Sequence, residues 1–517
     1  MDTFLSIHQE QVVNTLSAYD RMIFKGHISQ LFYANGFTKY LQTQRVLLKD
    51  FKGYMEQTSE VMKAHVQQLV QAAGRPYQYL DHGSHSAGGQ PKEAIALEIA
   101  KREGIQEGLI CVLAAVEKCL TFSVRKNQRN GLLETYVRPS KCLHYYFYYL
   151  DRVFGFMHVR LQSWFPFQIQ VYINGREWLA RQLDQRQIGY QRYDNSLIQC
   201  NDWSAAQGCA EKMAHYDWPP VLDAFAKRLN PFLPQIQAAH FGSYYWVIDQ
   251  CEFATDVVFK DRASLAALLP DLFEHAILQC SAEDILRFLG HKMHGNFTGE
   301  VTSSWKKRPE GWRVKHHLKR NTLKLYDKWN VLRVETTINN PSDFKVSVET
   351  DDHKRRWKPM GKGVSNLWRY VQVSLQANQR YLEGLAQAKL KSKVDTYLDD
   401  LCRSHTKEGK RFARFNPLSA EDCALFRVIL SGEFAINGFR NHDLADRLFP
   451  HPADSPKVHQ QRCARISRLI AKLRAHALIA KVKDARLYRV TERGYRVLLA
   501  ILNFRNCDVH VALQGVT

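Results

Sequence analysis

Acidic side chains recur in the middle of the chain within segments that alternate apolar and polar residues. Residues 244–259 and 311–338 both show this alternation, which is typical of half-buried β-strands. Carboxylates gathered on one sheet face repel one another unless cations, protons or a metal compensate them. Metal-assisted attack on a phosphodiester requires such a cluster. The residues with this chemistry are Asp249, Asp256, Asp327 and Glu335.

Composition limits what the chain binds and where it works. Its 72 Lys+Arg exceed its 51 Asp+Glu, and the formal net charge of +21 predicts binding to polyanions, with nucleic acid first. The 11 cysteines include no Cys-x-x-Cys pair, so their spacing indicates neither a zinc site nor a disulfide framework. Free thiols, the absence of a signal-peptide pattern and the lack of an apolar run of ~20 residues predict a cytoplasmic protein without a membrane partner.

The sequence predicts a multidomain α+β protein with four regions. An aromatic-rich α+β region (1–235) ends in a proline-rich segment. After it, alternating strands predict a central antiparallel-sheet domain (236–350). A basic loop and a bracing helix (351–415) lead to a last domain (416–505). The individual elements predicted before that last domain are a strand at 22–26, strands between 109 and 174, and helical stretches at 47–73, 178–235, 263–289 and 364–388.

Aromatic residues crowd the first region and are interleaved with cations, among them His158 and Arg160. Aromatic faces between cations suit stacked single-stranded bases and their phosphates, so both residues are candidate nucleic-acid contacts. The same pattern also fits a sheet core rich in tyrosine and phenylalanine, with basic residues on its solvent face.

The last region has the order helix, helix, basic helix, strand pair, helix. The predicted helices at 419–432, 441–449 and 457–476 precede strands at 477–482 and 487–491. This order resembles a winged helix-turn-helix domain, whose third helix enters the DNA major groove while the wing touches the backbone. The implied contacts are Arg462, Arg465, Arg468 and Lys472 on the helix, with Lys483 and Arg486 on the wing. A winged helix that binds protein is the alternative.

The central segment resembles the rolling-circle replication initiation factors and related relaxases of plasmids and integrative elements. The matching pattern is Trp246-Val-Ile-Asp249 with Asp256 after it, and then Leu-Lys-Leu-Tyr326-Asp-Lys328 followed by Leu-Arg333-Val-Glu335. The resemblance implies an antiparallel sheet with helices on one face. It also implies a tyrosine that nicks one DNA strand with a divalent metal, Mg²⁺ or Mn²⁺, and stays linked to the 5′ phosphate.

Carried over to this chain, the family's roles fall on residues of three kinds. The metal-site carboxylates are Asp249, Asp256 and Glu335, and the phosphate contacts are Lys328 and Arg333, with Lys324 beside them. Tyr326 is the only tyrosine between Tyr245 and Tyr370, which makes it the candidate nucleophile. A structural alternative pairs the carboxylates with these cations and packs Tyr326 within its strand.

Two functions of different classes follow. The first is an enzyme of a mobile element or plasmid that nicks and rejoins DNA by metal-assisted attack of Tyr326 or water, as replication initiators and transposases do. The second is a non-catalytic winged-helix transcriptional regulator or an RNA-binding protein. Both bind nucleic acid, DNA being the first expectation and RNA the second. The sequence leaves the target sequence and the oligomeric state open.

Overall fold

The described residues form one mixed sheet of eleven strands, several two-stranded sheets and helices, which confirms the α+β prediction. The structure is a computed structural model that describes residues 1–80, 91–291, 300–308, 311–349, 355–386, 394–407, 409–431, 434, 438–482 and 485–506. The chain divides into two compact units. The first unit contains residues 1–14, 257–334 and 376–517, and the second contains residues 15–256 and 335–375.

The strands are numbered in chain order. They are β1 (Val12–His27), β2 (Tyr77–Leu80), β3 (Gly108–Lys126), β4 (Leu133–Asp151), β5 (Gly155–Gln162), β6 (Ile169–Asn174), β7 (Tyr190–Tyr193), β8 (Ser196–Cys200), β9 (Tyr245–Phe259), β10 (Val301–Arg308), β11 (Gly311–Leu318), β12 (Asn321–Lys328), β13 (Val331–Ile338), β14 (Lys345–Glu349), β15 (Arg355–Pro359), β16 (His405–Lys407), β17 (Lys410–Phe412), β18 (Ile479–Lys481) and β19 (Tyr488–Val490). The large sheet has the order β10-β11-β12-β13-β9-β1-β6-β5-β4-β3-β2. Strands from the predicted N-terminal and central regions therefore belong to the same sheet.

The helices are also numbered in chain order. They are α1 (Asp2–Ile7), α2 (Ala34–Thr43), α3 (Phe51–Ala73), α4 (Lys92–Arg102), α5 (Gly175–Gln185), α6 (Trp203–Lys212), α7 (Trp218–Leu229), α8 (Leu233–Ala238), α9 (Arg262–Glu274), α10 (Ala282–Phe288), α11 (Leu367–Leu385), α12 (Val394–Leu401), α13 (Ala420–Ile429), α14 (Asn441–Leu448), α15 (Pro456–Ala475) and α16 (Glu492–Asn506). Among the described residues, no helix is both long and apolar enough to span a bilayer.

In the second unit, residue alternation gives the sheet one apolar and one polar face. An apolar row crosses four neighbouring strands in register, and each of its side chains is fully buried; the row is Phe147, Val159, Val171 and Phe24. The next row along lies on the opposite face and is formed by Tyr146, Arg160, Gln170 and Lys25. We call this second face the polar face. Helix α4 covers part of it, because its Ala96 and Ile99 pack with Leu113 and Tyr148.

The predicted helical stretch at 178–235 is wrong in its middle. Between α5 and α6 the chain forms an antiparallel hairpin of β7 and β8, with Asp194 at the turn. Asp194 has φ +53°, a left-handed conformation that aspartate and asparagine tolerate better than most residues. The predicted helix at 263–289 is also interrupted, by a π-helical turn at His275–Gln279 between α9 and α10.

In the first unit, β10, β11 and β12 pair antiparallel in sequence order. Near the C-terminus, α13, α14 and α15 precede the antiparallel pair of β18 and β19, and α16 follows. One hydrophobic core joins these elements and includes Phe426, Leu444, Ile466, Ile479 and Leu498. Phe439 adds a bridge to Tyr488 of β19, so a third short extended segment borders the strand pair.

Candidate functional site

Three carboxylates from three neighbouring strands converge in the second unit. Asp20 lies on β1, Glu252 on β9 and Glu335 on β13, and these strands are adjacent in the order β13-β9-β1. One oxygen from each carboxylate lies within 4.8 Å of the other two. Asp20 and Glu335 are buried, and Glu252 is half-buried. We call these three residues the acidic triad.

Neutral hydrogen-bond donors orient each member of the acidic triad. The bonds run from Asn195 Nδ2 to both carboxylate oxygens of Asp20 (2.7 and 2.8 Å), from Gln250 Nε2 to Glu252 Oε1 (2.9 Å) and from Thr337 Oγ1 to Glu335 Oε1 (3.4 Å). Asn195 follows Asp194 in the turn of the β7–β8 hairpin. A tight turn outside the large sheet therefore fixes the orientation of a carboxylate on one of its central strands.

Arg21 faces the acidic triad from β1. Its Nε lies 4.0 Å from Glu252 Oε2, and its side chain remains 48% exposed. Burial acts to lower the pKa of Arg21, but Glu252, Tyr172, Asp20 and Glu335 outweigh it, and the pKa is raised. A guanidinium that is close to the triad and still open to solvent is well placed to meet a phosphate oxygen, which it can bind through two parallel N–H groups.

The donor set of the acidic triad fits a hard divalent cation. Mg²⁺ and Mn²⁺ prefer carboxylate oxygens, and Mg²⁺ binds them at about 2.1 Å with octahedral geometry, which separates ligand oxygens by about 3.0–4.2 Å. The triad oxygens, all within 4.8 Å of one another, are already near that spacing. Like charges this close repel, and a bound cation would remove the repulsion.

Of the predicted metal ligands, Glu335 belongs to the acidic triad, while Asp249 and Asp256 have other partners. Asp256 is fully buried, and its Oδ2 lies 3.0 Å from the guanidinium of buried Arg176. Asp249 is half-buried and accepts a hydrogen bond from Gln170 Nε2 at 3.4 Å. Asp249 and Asp256 are seven positions apart, and an odd interval places two side chains on opposite faces of a regular strand.

A charge-balanced network crosses the polar face and ends at Asp249. Glu117 accepts hydrogen bonds from Lys92 Nζ (2.6 Å), Tyr146 OH (2.7 Å) and Arg160 (2.7 Å). Arg160 also donates to Gln170 Oε1 at 3.0 Å, and Gln170 donates to Asp249. Burial acts to raise the pKa of Glu117, but Lys92, Tyr146 and Arg160 overcome it and hold the pKa at about 2. We call this set the Glu117 network.

Both predicted nucleic-acid contacts in the aromatic region are engaged within the fold. The Arg160 guanidinium belongs to the Glu117 network. His158 stacks on Tyr172, with ring centroids 4.8 Å apart and planes 7° apart. Burial, with nearby Lys92, Arg21 and Arg160, lowers the pKa of His158 to about 3, so its ring is neutral at pH 7. Neither side chain is positioned to contact a polyanion.

Tyr326 and its predicted phosphate contacts belong to the first unit, whereas the acidic triad belongs to the second. Tyr326 is half-buried on β12, and Lys328 and Arg333 lie 6.0 and 5.9 Å from its ring centroid. Both of these cations are buried, so neither presents a surface to a phosphate. Lys324 is half-buried on the same strand, opposite Lys315 of β11. A nucleophilic role for Tyr326 stays a prediction.

The predicted duplex contacts on α15 differ in availability. Arg468 is exposed on the helix, whereas Arg465 is also exposed but forms an ion pair with Glu421. Arg462 donates to the His451 carbonyl oxygen at 2.6 Å.

Lys472 faces the domain interior instead. It lies 3.7 Å from the centroid of the Phe415 ring, and its pKa is lowered, chiefly by burial. Of the predicted wing contacts, Arg486 is exposed, and Lys483 lies outside the described residues.

Three residues of the site carried no recognised sequence signal: Asp20, Glu252 and Asn195. Glu252 lies inside the alternating segment 244–259, three residues from Asp249, but the matching pattern contains only the aspartates on either side of it. Asn195 could have been noticed, because Asp194-Asn195 between two short alternating runs is a hairpin signal. Asp20 offered none, because a single acidic residue in a strand is common.

Comparison with protein-family models, with curated proteins and with solved structures found no match to this chain. The functional assignment therefore depends on the chemistry of its own residues.

Proposed function

We propose that this chain binds nucleic acid and cleaves phosphodiester bonds with metal assistance at the acidic triad, as a strand-processing protein of a mobile element or plasmid. The observation that carries the proposal is the convergence of Asp20, Glu252 and Glu335 within 4.8 Å in a chain of net charge +21. Carboxylates from three strands that converge at this spacing offer the oxygen ligands that a divalent ion prefers.

The residues around the triad have separable roles in this proposal. The three carboxylates hold Mg²⁺ or Mn²⁺, which supplies a Lewis acid for a phosphoryl oxygen and a water of lowered pKa. Asn195 and Gln250 keep two of the carboxylates in fixed orientations, so little reorganisation accompanies binding. Arg21 contacts the substrate phosphate and neutralises charge that develops there. The attacking group at the acidic triad is water, and attack by Tyr326 stays a separate prediction that depends on the resemblance to replication initiators.

An exposed aromatic and basic surface in the first unit supports binding to single strands. Trp305 of β10 and Trp312 of β11 are 52% and 37% exposed, with ring centroids 5.0 Å apart. Lys307 Nζ lies 5.3 Å from the centroid of the Trp312 ring, and Lys306 and Arg308 are exposed on the same strand. Lysines on an edge strand also prevent edge-to-edge pairing, but that purpose needs no exposed tryptophans. Stacked bases do need them.

A similar surface occurs in the second unit on the strand pair β14–β15. Trp357 of β15 is 71% exposed, and the neighbouring Arg355, Arg356 and Lys358 are exposed as well. Indole faces flanked by cations are suited to bases and phosphates of either DNA or RNA. We infer that each unit contributes its own nucleic-acid surface.

The C-terminal elements support recognition of duplex DNA. Helices α13, α14 and α15, the β18–β19 pair and the bridge from Phe439 have the element order of a winged helix. Within this proposal α15 is the groove-binding helix, Arg468 is its most available reader, and Arg486 contacts backbone from the wing. Arg465 can join them when DNA competes for its ion pair with Glu421.

The test uses full-length protein with labelled single-stranded DNA, duplex DNA and RNA, in Mg²⁺ or Mn²⁺. We expect metal-dependent cleavage by the wild type that falls at least 100-fold in Glu335→Gln, a loss typical of removing one group that stabilises the reacting phosphate. Glu107→Gln is the matched control, because Glu107 is an exposed carboxylate of the same unit outside the triad. It should cleave as the wild type does.

A protein-linked 5′ end that disappears in Tyr326→Phe would assign the nucleophile to Tyr326, and cleavage that persists in that variant would assign it to water. Salt-sensitive binding without any cleavage in either metal would overturn the catalytic proposal.

A second candidate function is a non-catalytic transcriptional regulator or RNA-binding protein. The observation that favours it is that the C-terminal elements, with exposed Arg468 and Arg486, and the exposed tryptophans are arranged for binding without any use of the triad. Tight, salt-dependent binding that is unchanged in Glu335→Gln and in chelator, with no cut product, is the result expected of that function.

A further inference from the structure

A second group of ligating side chains lies on the polar face, on β3 and β4 of the second unit. Cys119 Sγ lies 2.9 Å from Cys142 Sγ, and His144 Nδ1 lies 4.0 Å from Cys142 Sγ. One ligand atom from each of the three residues lies within 4.8 Å of the other two. Cys142 and His144 are two residues apart on β4, so both side chains point to the same face. We call these three residues the thiol–imidazole cluster.

The strand register argues against a disulfide in this cluster. Glu117 pairs with Cys142 and Cys119 pairs with Ser140, so the two cysteines occupy diagonal positions. Diagonal neighbours on antiparallel strands have Cα atoms about 7–8 Å apart, whereas disulfides join Cα atoms about 4.4–6.8 Å apart. The backbone therefore directs two thiols to a common point, but the separation of their Cα atoms is larger than a disulfide requires.

A metal ion at that common point satisfies the same geometry. Zn²⁺ binds cysteine sulfur at about 2.3 Å and histidine nitrogen at about 2.0–2.1 Å, which in a tetrahedron separates the ligand atoms by about 3.5–3.8 Å. The observed separations of 2.9 and 4.0 Å lie on either side of this range. Small side-chain rotations would bring them into it.

The burial of the cluster indicates which kind of zinc site it forms. His144 is buried, and its Nδ1 lies 3.1 Å from the carbonyl oxygen of Cys142, a contact that Nδ1 gives up when it binds a metal, because a ligating nitrogen carries no proton. Cys119 and Cys142 are half-buried, so one side of the cluster is open to solvent. Three protein ligands with an open side are typical of zinc sites that keep a position for water or substrate, rather than of closed structural sites.

We propose that Cys119, Cys142 and His144 bind Zn²⁺ with an open fourth coordination position. The sequence does not indicate this site, because its ligands lack the short Cys-x-x-Cys spacing. Pairing of β3 with β4 brings Cys119 to the Cys142-x-His144 motif. The proposal does not depend on the acidic triad or on any action on nucleic acid.

The experiment measures metal in full-length protein purified under reducing conditions. We expect one equivalent of zinc by mass spectrometry of the metal content. Replacement by Co²⁺ should give thiolate-to-cobalt charge-transfer absorption and the d–d bands of a tetrahedral site. Cys119→Ser and His144→Gln should each weaken Co²⁺ binding at least tenfold. Cys200→Ser is the control, because Cys200 is a half-buried cysteine of the same unit outside the cluster.

Three results would overturn the zinc proposal. One is a wild type with no stoichiometric metal and no thiolate band with Co²⁺. Another is a tryptic peptide pair joined through Cys119 and Cys142 in the protein as purified, which would make the cluster a disulfide. The third is equal loss of the cobalt spectrum in Cys200→Ser. Circular dichroism of each variant separates loss of the site from loss of the fold, and Glu335→Gln should leave the cobalt spectrum unchanged.

Discussion

The acidic triad and the Glu117 network lie in the same unit and on strands of the same sheet, yet they hold carboxylates in opposite ways. The Glu117 carboxylate accepts hydrogen bonds from Lys92, Arg160 and Tyr146, each no longer than 2.7 Å. These contacts hold its pKa at about 2 against the effect of burial. In the triad, three carboxylates approach one another within 4.8 Å, and Arg21 comes no closer to Glu252 than 4.0 Å. The first arrangement is a balanced ionic network, whereas the second is the one that we propose binds a cation.

The largest expected effect comes from a buried ion pair, Arg176 with Asp256. Arg176→Met removes the guanidinium 3.0 Å from a fully buried carboxylate, and we expect the free energy of unfolding to fall by about 3–5 kcal/mol. Urea unfolding followed by circular dichroism measures it. The double variant Arg176→Met/Asp256→Asn should recover much of the loss, because it also removes the buried charge. A single variant as stable as the wild type would contradict a structural role for the pair.

The Glu117 network should give the next largest effect. Glu117→Gln replaces charge-assisted hydrogen bonds by neutral ones, and we expect a loss of about 1–3 kcal/mol at pH 7. Because the folded pKa of about 2 lies below the unfolded value of about 4.3, the carboxylate's stabilisation is present above about pH 4.3 and is lost as the pH falls toward 2.

Unfolding curves at pH 7 and pH 3 measure this dependence. The difference in stability between wild type and Glu117→Gln should shrink at pH 3, while Glu107→Gln should match the wild type at both values. If the difference in stability between wild type and Glu117→Gln is the same at both pH values, Glu117 stabilises the fold through packing and not through its charge.

The acidic triad should respond in the opposite direction. In chelator, Glu335→Gln removes one of three like charges, and we expect the protein to gain on the order of 1 kcal/mol. In Mn²⁺ the order should reverse, because the wild type gains the free energy of metal binding and the variant does not. Thermal unfolding in the two buffers measures both. If Glu335→Gln loses stability in chelator, as Glu117→Gln should, the triad is a balanced structural cluster.

The smallest effect concerns Arg21, a cation that faces the acidic triad and remains exposed. Arg21→Gln should weaken nucleic-acid binding only several-fold and reduce the slope of log affinity against log salt by about 1, the signature of one lost phosphate contact. Arg102→Gln, an exposed position on α4, is the control. If the salt-dependence slope of Arg21→Gln equals that of the wild type, Arg21 does not contact a phosphate of the bound nucleic acid.

Local patterns predicted much of the fold. The alternation in β9, β12 and β13, the helical periodicity of α3 and α11, and the sequence of elements after residue 416 all depend on residues close together in the chain. The β7–β8 hairpin was missed although its Asp194-Asn195 turn is a local signal, because the flanking strands are only four and five residues long.

Of the acidic triad, the sequence predicted only Glu335. The other two residues were not predicted, because strand pairing over long sequence distances brings them together. Asp20, Glu252 and Glu335 become neighbours because β13, β9 and β1 are adjacent in the sheet, and pairing between strands so distant in sequence leaves no local pattern. His158 and Arg160 lie among aromatic residues in the sequence, a pattern that predicts contacts with nucleic acid. Their partners in the structure, Tyr172 and Glu117, lie on other strands. Because of these contacts, both side chains are engaged within the fold.

The most direct test of the contrast between the two arrangements is a calorimetric titration of Mn²⁺ into wild type, Glu335→Gln and Glu107→Gln. Mn²⁺ prefers carboxylate oxygens, so the thiol–imidazole cluster should contribute little to the signal. We predict saturable binding by the wild type and by Glu107→Gln, and at least tenfold weaker binding by Glu335→Gln. Equal binding by all three proteins, or no binding by the wild type, would contradict the assignment of the acidic triad as a metal site.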